Sequence, residues 1–126
     1  MIVVTGVSGQ LGSAFRRRLG DRARYLDGGD LDLTNVAAIR PTIEELSPAL
    51  VINCAAYTAV DHAEEDEETA NVVNATAVGE LADVTKDIGV RLVTFSTDYV
   101  FDGSKEGPYV ETDEPKPLSA YGRTKL

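Results

Sequence analysis

Short, largely apolar runs of the chain are separated by amphipathic stretches. The runs are residues 2–4, 24–26, 50–54 and 91–96. Their apolar residues are mostly consecutive rather than alternating with polar ones, which is typical of strands buried on both faces of a parallel sheet. Apolar residues recur at three- and four-residue steps in the intervening helical stretches, 13–19, 36–46 and 70–88. This alternation predicts an α/β fold with a doubly wound parallel sheet between two helical layers, α/β/α.

The connections favour a Rossmann-like arrangement. Right-handed crossovers and a glycine-rich turn after the first strand predict the strand order 3-2-1-4. Residues 97–117 are rich in glycine, proline and acids and are expected to form a loop. Ser119 is then expected to cap a last helix that begins at Ala120. Nothing in the composition divides the chain, so we predict one domain over residues 1–126.

Charge and cysteine content narrow the classes of partner and compartment. The net charge of −9 argues against nucleic acid and anionic membranes, because both need a cationic face. Cys54 is the only cysteine, so no internal disulfide and no cysteine-based zinc site can form, and a packing role is expected for it. No signal peptide and no apolar run of about 20 residues is visible, so we expect a cytoplasmic protein.

A glycine-rich turn joins the first strand to the first helix. Gly6, Gly9 and Gly12 follow the spacing G-x-x-G-x-x-G. Glycine permits positive φ and close backbone approach, and a helix N-terminus offers free N–H groups and a positive dipole end. The spacing is one residue wider than the G-x-G-x-x-G dinucleotide fingerprint, and such turns also occur without a ligand. In this strand–turn–helix context we interpret it as a pyrophosphate-binding turn.

Acidic residues follow the second strand. An acid at the position of Asp27 accepts hydrogen bonds from the adenosine ribose in dinucleotide-binding folds, although Asp-Gly is also a common turn pair. Gly28 and Gly29 come next, with no Arg or Lys to pair a 2′-phosphate, which favours NAD(H) over NADP(H). Asp32 and Leu33 either flank the adenine or belong to an ordinary loop that leads into the next helix.

The segment after the third strand combines small residues with an acidic run. Ala55, Ala56, Tyr57 and Thr58 stand at the carboxyl end of that strand, where ligands bind in open α/β sheets, although Tyr57 also suits an ordinary loop. The acids within residues 61–68 suggest a metal site, but acids at a helix start complement the helix dipole, so we predict none there.

Three residues near the end of the chain suggest acid–base chemistry. Tyr121 and Lys125 are four apart on a predicted helix and share one face. The pKa of a tyrosine is ordinarily about 10, and a neighbouring cation stabilises the phenolate and lowers that pKa. The pair could then protonate a substrate oxygen as hydride reaches the carbon. Thr97, just past the fourth strand, could hydrogen-bond the same oxygen.

Together with the glycine turn, these residues resemble the extended short-chain dehydrogenase/reductases that act on nucleotide sugars. Three longer motifs resemble the dTDP-4-dehydrorhamnose reductase family in particular. They are VINCAAYTAVD at 51–61, STDYVFDG at 96–103 and PLSAYGRTKL at 117–126. The resemblance covers nearly the whole chain.

The resemblance implies reduction of the 4-keto group of dTDP-4-dehydro-L-rhamnose by NADH or NADPH. It implies Tyr121 as proton donor, Lys125 as its partner and as a ligand of the nicotinamide ribose, and Thr97 and Asp98 as substrate contacts. The pyrophosphate would lie on Gly6, Gly9, Gln10, Leu11 and Gly12. The adenosine would lie near Asp27, Asp32 and Leu33. The rest of the cofactor groove would comprise Ala55, Ala56, Tyr57, Thr58 and Phe95, together with Tyr121 and Lys125.

This chain is much shorter than members of the family it resembles. Members run to roughly twice this length or more, so we expect 1–126 to be the NAD(P)-binding part, without the region that binds the nucleotide sugar. The Mg²⁺ of longer members would then not be encoded here. The fourth strand should be an exposed edge, which calls for a homo-oligomer or another partner to cover it. The last helix has barely two turns, so Tyr121 and Lys125 are expected to be frayed or displaced unless another chain supports them.

Two other functions remain open. One is a non-catalytic NAD(P)-binding or regulatory subunit of the same ancestry. The other is an epimerase or dehydratase of the superfamily, and the dehydratase pattern is disfavoured because Tyr99, rather than a glutamate, follows Thr97 and Asp98. Cofactor titration followed by a reduction assay separates the first of these from a reductase.

Overall fold

A four-stranded parallel sheet forms the centre of the computed structural model, which describes residues 1–126. Its strands are β1 (Ile2–Thr5), β2 (Ala23–Leu26), β3 (Leu50–Asn53) and β4 (Arg91–Thr94). Every neighbouring pair is parallel. The predicted α/β class is therefore confirmed.

The order of the strands is β2-β1-β3-β4, so the predicted order 3-2-1-4 is wrong. The cause lies after β2, where the chain turns instead of forming another outward strand. The Asp27 carboxylate accepts the N–H groups of Gly29 and Asp30 at 2.8 and 3.3 Å. The next helix then returns across β1, and β3 pairs with the opposite side of β1. The winding direction consequently reverses between β1 and β3, which places the ligand-binding crevice at their carboxyl ends.

Helices cover both faces of the sheet, as the predicted three-layer fold requires. They are α1 (Gln10–Leu19), α2 (Ile39–Leu46), α3 (Val60–Glu65), α4 (Glu67–Asn71), α5 (Ala77–Asp87) and α6 (Ala120–Lys125). No helix is both long enough and apolar enough to cross a bilayer.

Successive residues of the central strands point to opposite layers. Val3 and Val51 pack with buried side chains of α2 and α5, including Ile43 and Leu81. Val4 and Ile52, one position further on, pack toward α1 and its Phe15. These consecutive apolar residues are needed because each strand is buried on both faces.

The helix predicted over 70–88 has a more complex structure. A π-helical segment, Val72–Thr76, joins α4 to α5. Helix α3 was missed because its apolar residues are few and small, which leaves little periodic signal. Gly89 has φ +71° just after α5, a backbone conformation that glycine commonly adopts where a helix ends.

Strand β4 forms one edge of the sheet, as expected. Val93 and Phe95 beside this edge are 40% and 37% exposed. Whether a second copy or another partner covers the edge stays a prediction.

Candidate functional site

The glycine-rich turn brings the ends of β1 and β3 into close contact. Gly6 has φ +68°, and a Cβ there would lie 2.4 Å from the Ala55 backbone nitrogen. A Cβ on Gly12 would lie 2.3 Å from the Gly6 carbonyl oxygen. Gly9 differs, since its Cβ would meet only the Gly6 oxygen, at 3.4 Å. Gly6 and Gly12 are thus required by the fold, whereas the missing side chain of Gly9 opens space for a ligand.

Helix α1 begins directly at this turn. Gly9 occupies the N-cap position and provides no side-chain cap, while its carbonyl accepts the Ser13 N–H at 3.0 Å. The N–H groups of Gln10, Leu11 and Gly12, in the first helical turn, have no carbonyl within the helix to pair with. Their free hydrogens and the positive end of the helix dipole suit a pyrophosphate.

Two adjoining cavities lie over this turn. Both are lined by Gly9, Cys54, Ala55 and Ala56, so they meet at the crevice between β1 and β3. The larger, about 540 Å³, extends toward β4 and α6. The smaller, about 250 Å³, extends toward the end of β2. A ligand with a central phosphate group and two arms fits this arrangement.

Burial raises the pKa of the Cys54 thiol, so this thiol stays protonated at neutral pH.

The smaller cavity ends on carboxylates. Asp27, Asp32 and Leu33 line it, and no Lys or Arg does. The Thr34 N–H and hydroxyl donate to Asp32 at 2.9 and 2.8 Å, and they hold the pKa of Asp32 below its ordinary value. Leu33 is buried and also belongs to the main core. These residues form an anionic end that suits the hydroxyls of a ribose.

The larger cavity ends on the tyrosine–lysine pair. Tyr121 and Lys125 line it together with Thr58, Phe95 and Ser96. The Lys125 ammonium donates to the Phe95 carbonyl oxygen at 2.6 Å, and partial burial lowers its pKa. The structure therefore brings the glycine turn, Phe95 and both helical residues together around one cavity.

Thr97 lies outside that cavity. Its hydroxyl accepts the Tyr99 N–H and donates to Asp98, both at 3.2 Å. Thr97 and Asp98 line a neighbouring cavity, and Ser96 lines both. The displacement arises because β4 ends at Thr94 rather than at residue 96, so Ser96 precedes the turn that carries Thr97. A substrate contact by Thr97 stays a prediction, and Ser96 joins the candidates.

Tyr57 also departs from the predicted groove. Its side chain packs with Val60 against the cluster that contains Ala120 and Tyr121. Tyr57 lines neither of the two adjoining cavities. This packing supports α6, and a direct contact of Tyr57 with a cofactor stays a prediction.

Helix α6 is packed, so the expected fraying of Tyr121 and Lys125 is wrong. Tyr121 is 9% exposed and clusters with Ala63 and Ala70 of α3 and α4. The Ser119 hydroxyl accepts the Gly122 N–H at 3.0 Å, which confirms the predicted cap. The expectation failed because α3 and the first residues of α4, against which α6 packs, were not predicted.

Asn74 is a site residue that the sequence reasoning missed. Its carbonyl oxygen accepts the Tyr57 N–H at 2.8 Å, and its amide donates to the Tyr57 carbonyl and to Thr124, both at 3.0 Å. The Thr124 hydroxyl in turn donates to the Tyr121 carbonyl at 2.9 Å. Asn74 thereby links the loop after β3 to α6. The available signal was an asparagine on the apolar face of the helix predicted over 70–88.

We expect Asn74→Ala to lower the free energy of unfolding by about 2–3 kcal/mol, because it leaves partly buried backbone groups of Tyr57 without partners. Urea unfolding followed by circular dichroism measures this. Asn71→Ala, on the exposed side of α4, is the matched control and should change little. Equal stability of the two variants would contradict the role of Asn74.

We expect Gly12→Ala to destabilise the chain by about 2–3 kcal/mol, since the new methyl group meets backbone rather than a mobile side chain. Gly79→Ala within α5 meets nothing within 4 Å and should stabilise by up to about 1 kcal/mol. Thermal unfolding of both variants checks the opposite signs. A stable Gly12→Ala variant would refute the close approach of α1 to the turn.

No three His, Cys, Asp or Glu side chains converge as metal ligands would. The Mg²⁺ expected of longer family members stays a prediction.

Comparison with known proteins gives a family match over the whole chain. The family described as RmlD substrate binding domain matches residues 1–126. The chain is 46% identical to a dTDP-4-dehydrorhamnose reductase of Burkholderia thailandensis, over 99% of this chain and 43% of that protein. It is 36% identical to the dTDP-4-dehydrorhamnose reductase of Escherichia coli K12, over 99% of this chain and 44% of that protein.

Solved structures give the same result. A dTDP-4-dehydrorhamnose reductase ortholog from Clostridium acetobutylicum superposes with a TM-score of 0.94 at 44% identity, over 98% of this chain and 45% of that one. The dTDP-4-dehydrorhamnose reductase of Bacillus anthracis, solved in complex with NADP, gives 0.92 at 36% identity, again over 98% and 45%. The chain therefore spans less than half the length of these relatives.

Proposed function

The chain belongs to the RmlD substrate binding domain family, and we propose that it binds a nicotinamide dinucleotide as the cofactor-binding part of a dTDP-4-dehydrorhamnose reductase. The reaction is reduction of the 4-keto group of dTDP-4-dehydro-L-rhamnose to give dTDP-L-rhamnose. One observation carries the proposal. The free helix N-terminus at Gly9 opens into a continuous crevice that ends on Asp27 at one side and on Tyr121 and Lys125 at the other.

The residues present fit the dinucleotide part by part. The first turn of α1 would hold the pyrophosphate, since its N–H groups are unpaired and Gly9 leaves room. Asp27 and Asp32 would accept hydrogen bonds from the adenosine ribose. Ala55 and Ala56 would allow close approach at the crevice. Lys125 would hold the nicotinamide ribose.

Bound NAD(P)H supplies the hydride that reaches the keto carbon. Tyr121 holds the proton on its hydroxyl and donates it to the keto oxygen, so the carbonyl becomes an alcohol. The Lys125 ammonium, kept beside the cavity by the Phe95 carbonyl, favours the phenolate that remains. Thr97 and Asp98 would orient the sugar from the neighbouring cavity, which adjoins the first through Ser96.

The anionic end of the crevice favours NADH over NADPH. Two carboxylates and no cation line it, so a 2′-phosphate would meet like charge. The relative from Bacillus anthracis was solved with NADP, so preference has to be measured on this chain. A nucleotide-sugar substrate and a cytoplasmic location remain part of the proposal.

We expect Asp27→Asn to improve the affinity for NADPH relative to NADH by about fivefold to tenfold, because it removes one of the repelling charges. The asparagine oxygen keeps the acceptor that the Gly29 N–H uses, so the turn survives. Fluorescence titration of both cofactors gives the ratio. An unchanged ratio would place the 2′-position away from Asp27.

The test of the proposed function is titration of the chain with NADH and NADPH, followed by an assay with dTDP-4-dehydro-L-rhamnose. Binding and reduction support the reductase, and binding without reduction by this chain favours the non-catalytic alternative. Absence of binding to both cofactors contradicts the proposal.

A further inference from the structure

Helix α6 has only six residues, yet it carries Tyr121 and Lys125. A helix of this length is not stable in isolation, because few hydrogen bonds offset the cost of its nucleation. Its orientation must therefore come from contacts with the rest of the chain. Two of these contacts are made by the acidic run at 61–68, which the proposed chemistry does not otherwise use.

The first contact is made by Glu64 of α3. One of its carboxylate oxygens accepts the Ala120 N–H at 2.7 Å, and this hydrogen bond is partly buried. Ala120 is the first residue of α6, so its N–H has no partner inside the helix. A carboxylate acceptor makes a strong, charge-assisted hydrogen bond there and complements the helix dipole.

The second contact is made by Glu67 of α4. Its two carboxylate oxygens accept hydrogen bonds from Nε and Nη2 of Arg123, each at 2.9 Å. The guanidinium holds the pKa of Glu67 below its usual range, so the pair stays ionised at neutral pH. An exposed ion pair adds little stability by itself, but two parallel hydrogen bonds fix the angle at which α6 lies.

We propose that Glu64 and Glu67 are positioning residues that hold α6 so that Tyr121 and Lys125 face the cofactor cavity. This inference rests on the proposed function, because it assigns a role in the same site. Ala63 and Ala70, which flank these acids in the sequence, are fully buried against Ala120 and Tyr121. The small side chains let α6 approach closely, and the two carboxylates then hold its first residue and Arg123 in place.

Amide hydrogen exchange of residues 120–125 in the free chain tests the positioning directly. We expect Glu64→Ala to accelerate exchange at Gly122 and Arg123 by about tenfold or more, because α6 opens more often. Glu64→Gln keeps an oxygen acceptor and should restore most of the protection. Glu65→Ala is the matched control, since Glu65 lies exposed on the same helix without a contact to α6.

Variants of Glu67 and Arg123, including one that swaps their charges, test the second contact. Glu67→Ala should accelerate exchange of the same amides. The double variant Glu67→Arg with Arg123→Glu should slow it again, because the pair re-forms with reversed polarity. If Glu64→Ala proves unfolded by circular dichroism, Glu67→Ala and the charge exchange still decide the question, since this pair is exposed and its loss costs the fold little.

Ligand binding separates positioning of α6 from a general effect on the fold. Glu64→Ala and Glu67→Ala should weaken NADH binding by about fivefold and leave ADP binding unchanged, because ADP lacks the half that reaches Lys125. Equal exchange rates in all single variants, or equal weakening of NADH and ADP, would overturn the inference. A wild-type chain that binds no NADH would refute the proposed function instead, and the exchange rates would still decide the role of the two glutamates.

Discussion

Replacement of Gly9 by valine should abolish NADH binding and leave the chain folded. The backbone at Gly9 has φ −80° and ψ 172°, which valine adopts readily, and a Cβ there makes only an ordinary contact at 3.4 Å. The added methyl groups would instead occupy the space in front of the first turn of α1. Loss of the charge-assisted hydrogen bonds from these N–H groups corresponds to at least about a 100-fold rise in Kd.

Fluorescence titration with NADH measures this loss, and circular dichroism checks the fold. Gly107→Val is the matched control, because Gly107 lies in the loop before α6 with nothing within 4 Å of its position. It should bind NADH as the wild type does. A Gly9→Val chain that binds NADH within threefold of the wild type would remove the pyrophosphate from this turn.

Replacement of Tyr121 by phenylalanine, in an enzyme that carries this chain as its cofactor-binding part, should lower turnover by about 100-fold to 10,000-fold. The phenyl ring keeps the edge-on packing against Tyr99, whose ring centre is 5.5 Å away, so only the proton donor is lost. Affinity for NADH should stay within about twofold of the wild type, because the ring that lines the cofactor cavity is kept.

Steady-state reduction of dTDP-4-dehydro-L-rhamnose measures the effect, with Tyr25→Phe as the control. Tyr25 lies on β2 at the opposite edge of the sheet from β4. Turnover that persists after Tyr121→Phe would show that another group, such as Thr97 or water, protonates the keto oxygen.

Local signals in the sequence predicted the parts of the site that depend on local geometry. The turn from β1 through Gly6, Gly9 and Gly12 into α1 is such a part, because the need for glycine arises within a few residues. The cap at Ser119 is another. In both cases backbone sterics and unpaired N–H groups of the same segment decide the structure.

The pairing of strands that lie far apart in the sequence could not be predicted in the same way. The order of β3 relative to β1 depends on whether the chain after β2 turns or continues outward, and the hydrogen bonds of Asp27 with Gly29 and Asp30 settle this. Apolar runs do not record which neighbour a strand pairs with. The class of sheet was therefore predictable, while its order was not.

Contacts of α6 show a similar limit. Glu64 and Glu67 belong to a charged run whose sequence is also typical of a solvated helix face. Their partners, Ala120 and Arg123, lie more than fifty positions further along the chain. The packing of Ala63 and Ala70 against α6 helps to bring them together, and small apolar residues give a weak periodic signal.

Isothermal titration of the 126-residue chain with NADH tests the central claim most directly. The crevice between β1 and β3 predicts saturable binding at one site, with ADP as a competitor because it occupies the pyrophosphate and adenosine positions. Absence of binding up to about 1 mM NADH, or binding that ADP does not displace, would contradict the assignment of the glycine turn.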